Sequence, residues 1–136
     1  MINIIMGLKG SGKTKKIIDL VKAAANEEKG NVVCIAKGNC LNFDIPYKVR
    51  LINVDDYVVD GYDGLFGFVS GLHAGNYDIS YIFIDGLYKI VNDSNVQDAD
   101  KFVAALAKFS EKHSVKFTMT ISEDMANATE NMKKYI

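Results

Sequence analysis

One glycine-rich segment near the start of the sequence constrains the fold more strongly than any other feature. An apolar run at Ile2, Ile4 and Ile5 comes directly before it. After it, apolar residues recur at helical spacing from Ile17 onward, which is typical of an amphipathic helix. The segment itself reads Gly7-Leu8-Lys9-Gly10-Ser11-Gly12-Lys13-Thr14. This order predicts a buried strand, a tight glycine loop and a helix as one continuous unit.

The residue types of this glycine-rich loop (residues 7–14) are those that bind phosphate groups. Its pattern is a glycine, four free positions, then Gly-Lys-Thr. A bend that turns several backbone N–H groups toward one anion favours glycine. The start of the next helix adds unpaired N–H groups and a favourable dipole. We expect the whole loop to bind a nucleoside triphosphate, with Lys13 along its β- and γ-phosphates and the Thr14 hydroxyl on a magnesium ion.

The remaining sequence alternates between patterns typical of strands and of helices. Apolar runs predict strands at residues 32–36, 49–54, 79–85 and 115–121, with polar and apolar residues alternating in the last of them. Helical spacing predicts a helix that ends near Gly75, a second that buries Phe102 and Leu106, and a terminal one that includes Met125 and Met132. We interpret residues 37–47 and 86–95 as loops.

Strands that alternate with helices predict a three-layer α/β/α sandwich with a mostly parallel sheet, as a single domain over residues 1–136. In such sheets, ligands bind outside the carboxyl ends of the strands. We expect this edge to bring the glycine-rich loop together with several polar residues. These are Lys37, Asp55, Asp56, Asp85, Ser122 and Glu123.

Asp85 forms a second motif. It ends an apolar run roughly 70 residues after Thr14, and a carboxylate in that place is suited to holding the magnesium ion that bridges two phosphates. Simple capping of the strand end is the alternative. We therefore predict Thr14 and Asp85 as the metal-binding pair, with Lys13 and Asp85 as the residues that serve catalysis.

The two motifs together resemble those of the P-loop NTPase superfamily, where they are called Walker A and Walker B, and the resemblance covers the whole chain. A helix and a strand after Asp85 resemble the RecA-like branch. That resemblance implies that the last strand lies between the strand of the glycine-rich loop and the strand of Asp85. Thymidine kinases share this layout. The chain also resembles short stand-alone bacterial ATP-binding proteins, some of which are labelled by similarity with pilus-retraction motors.

Several departures from these relatives limit what the resemblance implies. RecA-like ATPases and thymidine kinases carry a glutamate after the Walker B aspartate, whereas Gly86 stands here. Thymidine kinases also have a zinc site, which two cysteines cannot form. Pilus-retraction motors are far longer than this chain. The guanine-reading Asn-Lys-x-Asp stretch is missing, so we expect ATP. Leu8 occupies the place of the partition-ATPase signature lysine.

No residue in the sequence stands out as the one that positions the attacking water. Asp56 and Glu123 are candidates, with turn or cap positions as the alternative. Thr120 and Ser122 either sense the γ-phosphate or are ordinary polar positions in a strand. Arg50 is the only arginine, and its place in a predicted strand disfavours a role as an arginine finger. We therefore predict hydrolysis that is slow or depends on a partner protein.

Composition excludes several other classes of function. A formal charge of −1 provides no long-range attraction for nucleic acid or an anionic membrane. No apolar stretch approaches the length of a membrane span, and the sequence shows no secretory signal, so we expect a cytoplasmic protein. We interpret Cys34 and Cys40 as reduced thiols, with a disulfide or metal site as the alternative. His73 and His113 are interpreted as structural or solvent-facing.

Three hypotheses for function remain open. The first is an ATP-binding P-loop protein with weak or partner-dependent ATPase activity, as a nucleotide-dependent switch that acts with a protein partner or as a homo-oligomer. The second is a small-molecule or nucleoside kinase, which needs an acceptor pocket and a lid with arginines. The third is a scaffold whose loop binds phosphate without catalysis.

Overall fold

A computed structural model describes residues 1–38 and 44–136 of the chain. In these residues the chain forms a five-stranded sheet with helices on both faces. Cys40 and part of the predicted 37–47 loop lie outside the described residues. The strands are β1 (Ile2–Gly7), β2 (Asn31–Ala36), β3 (Arg50–Asn53), β4 (Ile79–Asp85) and β5 (Lys116–Ser122). The helices are α1 (Lys13–Glu27), α2 (Gly61–Gly75), α3 (Leu87–Val91), α4 (Val96–His113) and α5 (Glu130–Lys133), with 3-10 turns at Val54–Asp56 and Met125–Asn127.

All strand pairs in the sheet are parallel, and the strand order is β1-β5-β4-β2-β3. The last strand, β5, therefore lies between β1 and β4, as expected. Gly7 at the end of β1 pairs with Ser122 of β5, and Asp85 at the end of β4 pairs with Ala36 of β2. The carboxyl ends of four neighbouring strands thus meet at one edge of the sheet.

The sheet separates two apolar clusters, which confirms an α/β fold with three layers. On one face, α1 packs Ile17 and Val21 against Cys34 and Phe83 of the central strands. On the other face, α2 to α5 cover a larger cluster that includes Leu65. Burial of this apolar area is the main stabilising contribution to the fold.

The interpretation of residues 86–95 as a loop is wrong, because α3 lies within that segment. Its apolar residues Leu87, Ile90 and Val91 are spaced i, i+3 and i+4, and all three are buried. Asn95 caps the next helix, since its side chain accepts hydrogen bonds from two N–H groups of the first turn of α4.

The last strand, β5, is more buried than its alternating sequence alone indicates. Polar and apolar residues alternate there, yet both are buried from Phe117 to Ile121, because helices cover both sides of a central parallel strand. The predicted terminal helix is instead a 3-10 turn followed by the four-residue α5. Met132 is buried there, whereas Met125 is exposed.

No helix within residues 1–38 and 44–136 has the length and apolar character needed to cross a bilayer. Cys34 is fully buried in β2.

Candidate functional site

A cleft of about 760 Å³ lies at the carboxyl edge of the sheet. We call it the loop cleft, because much of its wall comes from the glycine-rich loop. Its other walls come from the ends of β2, β4 and β5 and from α3. The lining residues are Lys9, Gly10, Gly12, Lys13, Thr14, Lys37, Asp85, Gly86, Tyr88, Lys89, Thr120 and Ser122. The cleft therefore brings together the two motifs that the sequence identified.

The backbone of the glycine-rich loop has the bends expected of a phosphate cradle. Gly10 and Gly12 have φ values of 86° and 85°, a left-handed region that residues with a Cβ rarely adopt. The Ser11 N–H donates to the Leu8 carbonyl at 3.1 Å, which closes the turn. Gly12 directly precedes α1. The loop thus leads straight into the positive end of a fifteen-residue helix dipole.

Lys13 is the first residue of α1, yet its side chain turns back over the loop. Its Nζ donates a hydrogen bond to the Leu8 carbonyl at 3.0 Å. Thr14 follows it and is exposed to the cleft. Leu8 itself points away, with 60 % of its surface exposed. The ammonium group of Lys13 is therefore positioned beside the concave side of the loop, where an anion would lie.

Asp85 is oriented by a buried threonine on the neighbouring strand. Thr120 is 1 % exposed, and its hydroxyl donates to Asp85 Oδ1 at 2.8 Å. The same hydroxyl accepts the Gly86 N–H at 2.7 Å. A hydroxyl that both donates and accepts in this way has only one orientation. Thr120 consequently fixes the direction in which the Asp85 carboxylate faces the cleft.

The charge of the loop cleft is strongly positive. Four lysines line it, and among the described lining residues Asp85 is the only carboxylate. Lys37 pairs with Asp55 at 3.5 Å, and their side chains are 40 % and 50 % exposed, so the pair contributes about 0–1 kcal/mol and is easily rearranged. A cleft with this balance is suited to a polyanion, with one carboxylate left to hold a divalent cation.

Helix α3 adds two residues to the site that the sequence analysis missed. Tyr88 and Lys89 line the cleft together with residues of the glycine-rich loop. The Tyr88 hydroxyl donates to Glu123 Oε1 at 2.9 Å, and burial together with this carboxylate raises the pKa of Tyr88. The apolar spacing of α3 was the signal available in the sequence, but a five-residue helix is shorter than the usual search window.

The two acidic candidates for positioning water lie outside the lining of the cleft, as far as the described residues show. Asp56 is exposed in the 3-10 turn after β3. Glu123 accepts hydrogen bonds from Tyr88, from Asn127 and from the Asp124 N–H. The bond from Asn127 is the main cause of a lowered pKa at Glu123. A carboxylate with its oxygens so occupied is a poor base.

Arg50 and the two histidines are remote from the loop cleft. Arg50 begins β3 at the amino edge of the sheet, the edge opposite the loop cleft. His73 and His113 contact each other near the carboxyl ends of α2 and α4, with ring centroids 4.5 Å apart. The pKa of His113 is lowered mainly by its partial burial and to a smaller extent by repulsion from His73 and Lys112.

In the described part of the chain, no group of three or more His, Cys, Asp or Glu side chains is arranged to hold a metal ion. The predicted pair of Thr14 and Asp85, which is not such a group, lies in the same cleft. In comparisons with known proteins, no family model matches the chain and no curated protein matches it.

Proposed function

We propose that the chain is a P-loop NTPase domain of the RecA-like kind that binds Mg-ATP in the loop cleft. The observation that carries this proposal is the joint placement of Lys13, Thr14 and Asp85 around one positively charged cleft. Strand order supports it, since β5 lies between the strands of the two motifs. A cytoplasmic location, where ATP and magnesium are abundant, is part of the proposal.

Each of these residues has a defined task in the proposal. The loop N–H groups and Lys13 hold the β- and γ-phosphates. The Thr14 hydroxyl and the Asp85 carboxylate hold magnesium, which neutralises phosphate charge when bound. Thr120 positions Asp85 through the hydrogen bond at 2.8 Å. Residues that orient a metal ligand through a hydrogen bond change metal affinity by about 10- to 100-fold.

Hydrolysis by the isolated chain is expected to be slow. Gly86 follows Asp85 where related ATPases carry a glutamate, and Asp85 itself is committed to the metal ion. The described lining residues include no second carboxylate and no arginine. An arginine supplied by a partner accelerates such reactions by about 10³- to 10⁵-fold. We infer a nucleotide-dependent switch whose turnover, without a partner, stays below about 1 per second.

A thermal-shift experiment with Mg-ATP, Mg-ADP, Mg-GTP and AMP tests nucleotide binding. The wild type is expected to gain stability with ATP and ADP, because a ligand that binds only the folded state stabilises it. Lys13→Ala should lose this gain. Lys22→Ala is the matched control, since Lys22 is an exposed lysine on the same helix, and it should respond like the wild type.

Two added measurements separate the three hypotheses: inorganic phosphate in the thermal-shift panel, and an ADP-release assay with added metabolites. A shift with inorganic phosphate that nucleotides do not exceed would leave only the phosphate-binding scaffold. Rapid ADP release that depends on an added metabolite would favour a kinase. A wild type that responds to no nucleotide, or a Lys13→Ala variant that responds fully, would refute the proposal.

A further inference from the structure

A second concave surface lies between α2 and α4, on the face of the molecule away from α1. It consists of two cavities of about 520 and 630 Å³. Both cavities are lined by Phe66 and Ala105, so they form one continuous surface, which we call the α2–α4 groove. The first residues of both helices line one end and the last residues line the other. The two helices therefore run in the same direction along the groove.

The two ends of the α2–α4 groove carry opposite charges. Three carboxylates, Asp60, Asp63 and Asp98, line the end formed by the helix starts, together with one lysine. Lys108 and Lys112 line the end formed by the helix termini, and the described lining there includes no carboxylate. Acidic residues at helix starts and basic ones at helix ends also favour the helices themselves. Helix stabilisation does not explain, however, why the surface between the two charged ends is an open and mainly apolar groove.

The spacing along α4 makes this surface complementary to itself. Asp98 and Lys112 each lie seven residues from Ala105, one on either side. Residues seven apart lie on nearly the same side of a helix, with a drift of about 20°. At about 1.5 Å per residue, each charge lies about 10.5 Å from Ala105. A two-fold axis at Ala105 would therefore place Asp98 of each copy opposite Lys112 of the other.

We propose that the α2–α4 groove is the contact surface of a two-fold symmetric dimer, in which the acidic end of each groove faces the basic end of the other. A symmetric interface uses the same patch on both copies and must be self-complementary, and the charges of this groove meet that condition. Phe66 and Ala105, which line both cavities, lie near the axis in this arrangement. The loop cleft is not part of this surface, so nucleotide binding and dimerisation are independent claims.

Charge reversal in sedimentation experiments tests this dimer. The wild type should sediment as a dimer at about 0.1 mM protein in about 50 mM salt, and about 500 mM salt should weaken it. Asp98→Lys alone, or Lys112→Glu alone, creates two like-charged pairs across the axis. Each should weaken the dimer Kd by about tenfold or more. An equimolar mixture of the two variants should regain the wild-type Kd, because both pairs in the mixed dimer are again opposite in charge.

Matched controls change the same charges on α1, at the opposite face of the sheet. Lys22→Glu and Asp19→Lys should sediment as the wild type does. Circular dichroism establishes that each variant is folded, and the milder Asp98→Asn and Lys112→Gln replace any variant that is not. A monomeric wild type at about 0.1 mM, a single reversal that leaves the Kd unchanged, or a mixture of the two folded charge-reversal variants that stays monomeric would each overturn the proposal.

Discussion

Replacing Thr120 with valine removes one hydroxyl and leaves the volume of the side chain almost unchanged. The structure gives this hydroxyl two partners, Asp85 Oδ1 at 2.8 Å and the Gly86 N–H at 2.7 Å. A bond to a charged group contributes about 1.5–3 kcal/mol and a neutral one about 1 kcal/mol. Since Asp85 is half-buried, water replaces part of the first loss. We expect Thr120→Val to lower the free energy of unfolding by about 2–3 kcal/mol.

The effect on ligand binding should be specific to this site. Without its hydroxyl partner, the Asp85 carboxylate is free to rotate away from the position in which it faces the cleft. Affinity for Mg-ATP should therefore fall by about tenfold or more, measured by calorimetric titration. Thr120→Ser retains the hydroxyl and should keep most of the affinity.

Thr118 provides the control for this experiment on the same strand. It is fully buried, and its hydroxyl shares a hydrogen bond of 2.7 Å with Tyr81, away from the loop cleft. Thr118→Val should cost about 1 kcal/mol of stability and leave the affinity for Mg-ATP unchanged. Equal affinities for the Thr120→Val and Thr118→Val variants would refute the role assigned to Thr120.

Three further predictions concern other parts of the molecule. Gly67→Ala should stabilise α2 by about 1 kcal/mol in urea unfolding, because an added Cβ there meets no atom within 4 Å; a loss of stability would contradict this. The pKa of His113 in the folded chain lies below its usual value of 6.5. As the pH drops through 6.5, His113 is therefore protonated in the unfolded chain before it is protonated in the folded chain, and the stability of the fold falls. The urea midpoint of unfolding should fall less between about pH 7.5 and 5.5 in the His113→Gln variant than in the wild type. An equal fall in both proteins would contradict this role of His113. Arg50→Ala should leave ATP turnover unaltered in a phosphate-release assay, because Arg50 lies at the opposite end of β3 from the cleft.

The parts of the fold that the sequence predicted are those with long, regular patterns. β4 was predicted with its observed limits, and the helix after the glycine-rich loop follows the apolar spacing that begins at Ile17. The position of Asp85 at the same sheet edge as the loop required only that the strands be parallel. Long periodic segments carry this information locally, so no knowledge of distant contacts was needed.

The details that escaped prediction depend on contacts between residues far apart in sequence. Thr120 lies 35 positions from Asp85, and only the pairing of β4 with β5 brings them together. Likewise, Glu123 was a candidate base by position alone, and its bond to Tyr88 depends on the unexpected helix α3. The burial of Thr118 and Thr120 was not evident from the alternating sequence of β5, because it depends on helices that cover both faces of the sheet.

The double hydrogen bond of Thr120 also couples the Asp85 carboxylate mechanically to α3. Gly86 directly precedes α3. Its N–H donates to the same Thr120 hydroxyl that donates to the Asp85 carboxylate. A displacement of that carboxylate would therefore be transmitted through the Thr120 hydroxyl to the start of α3, the helix that carries Tyr88.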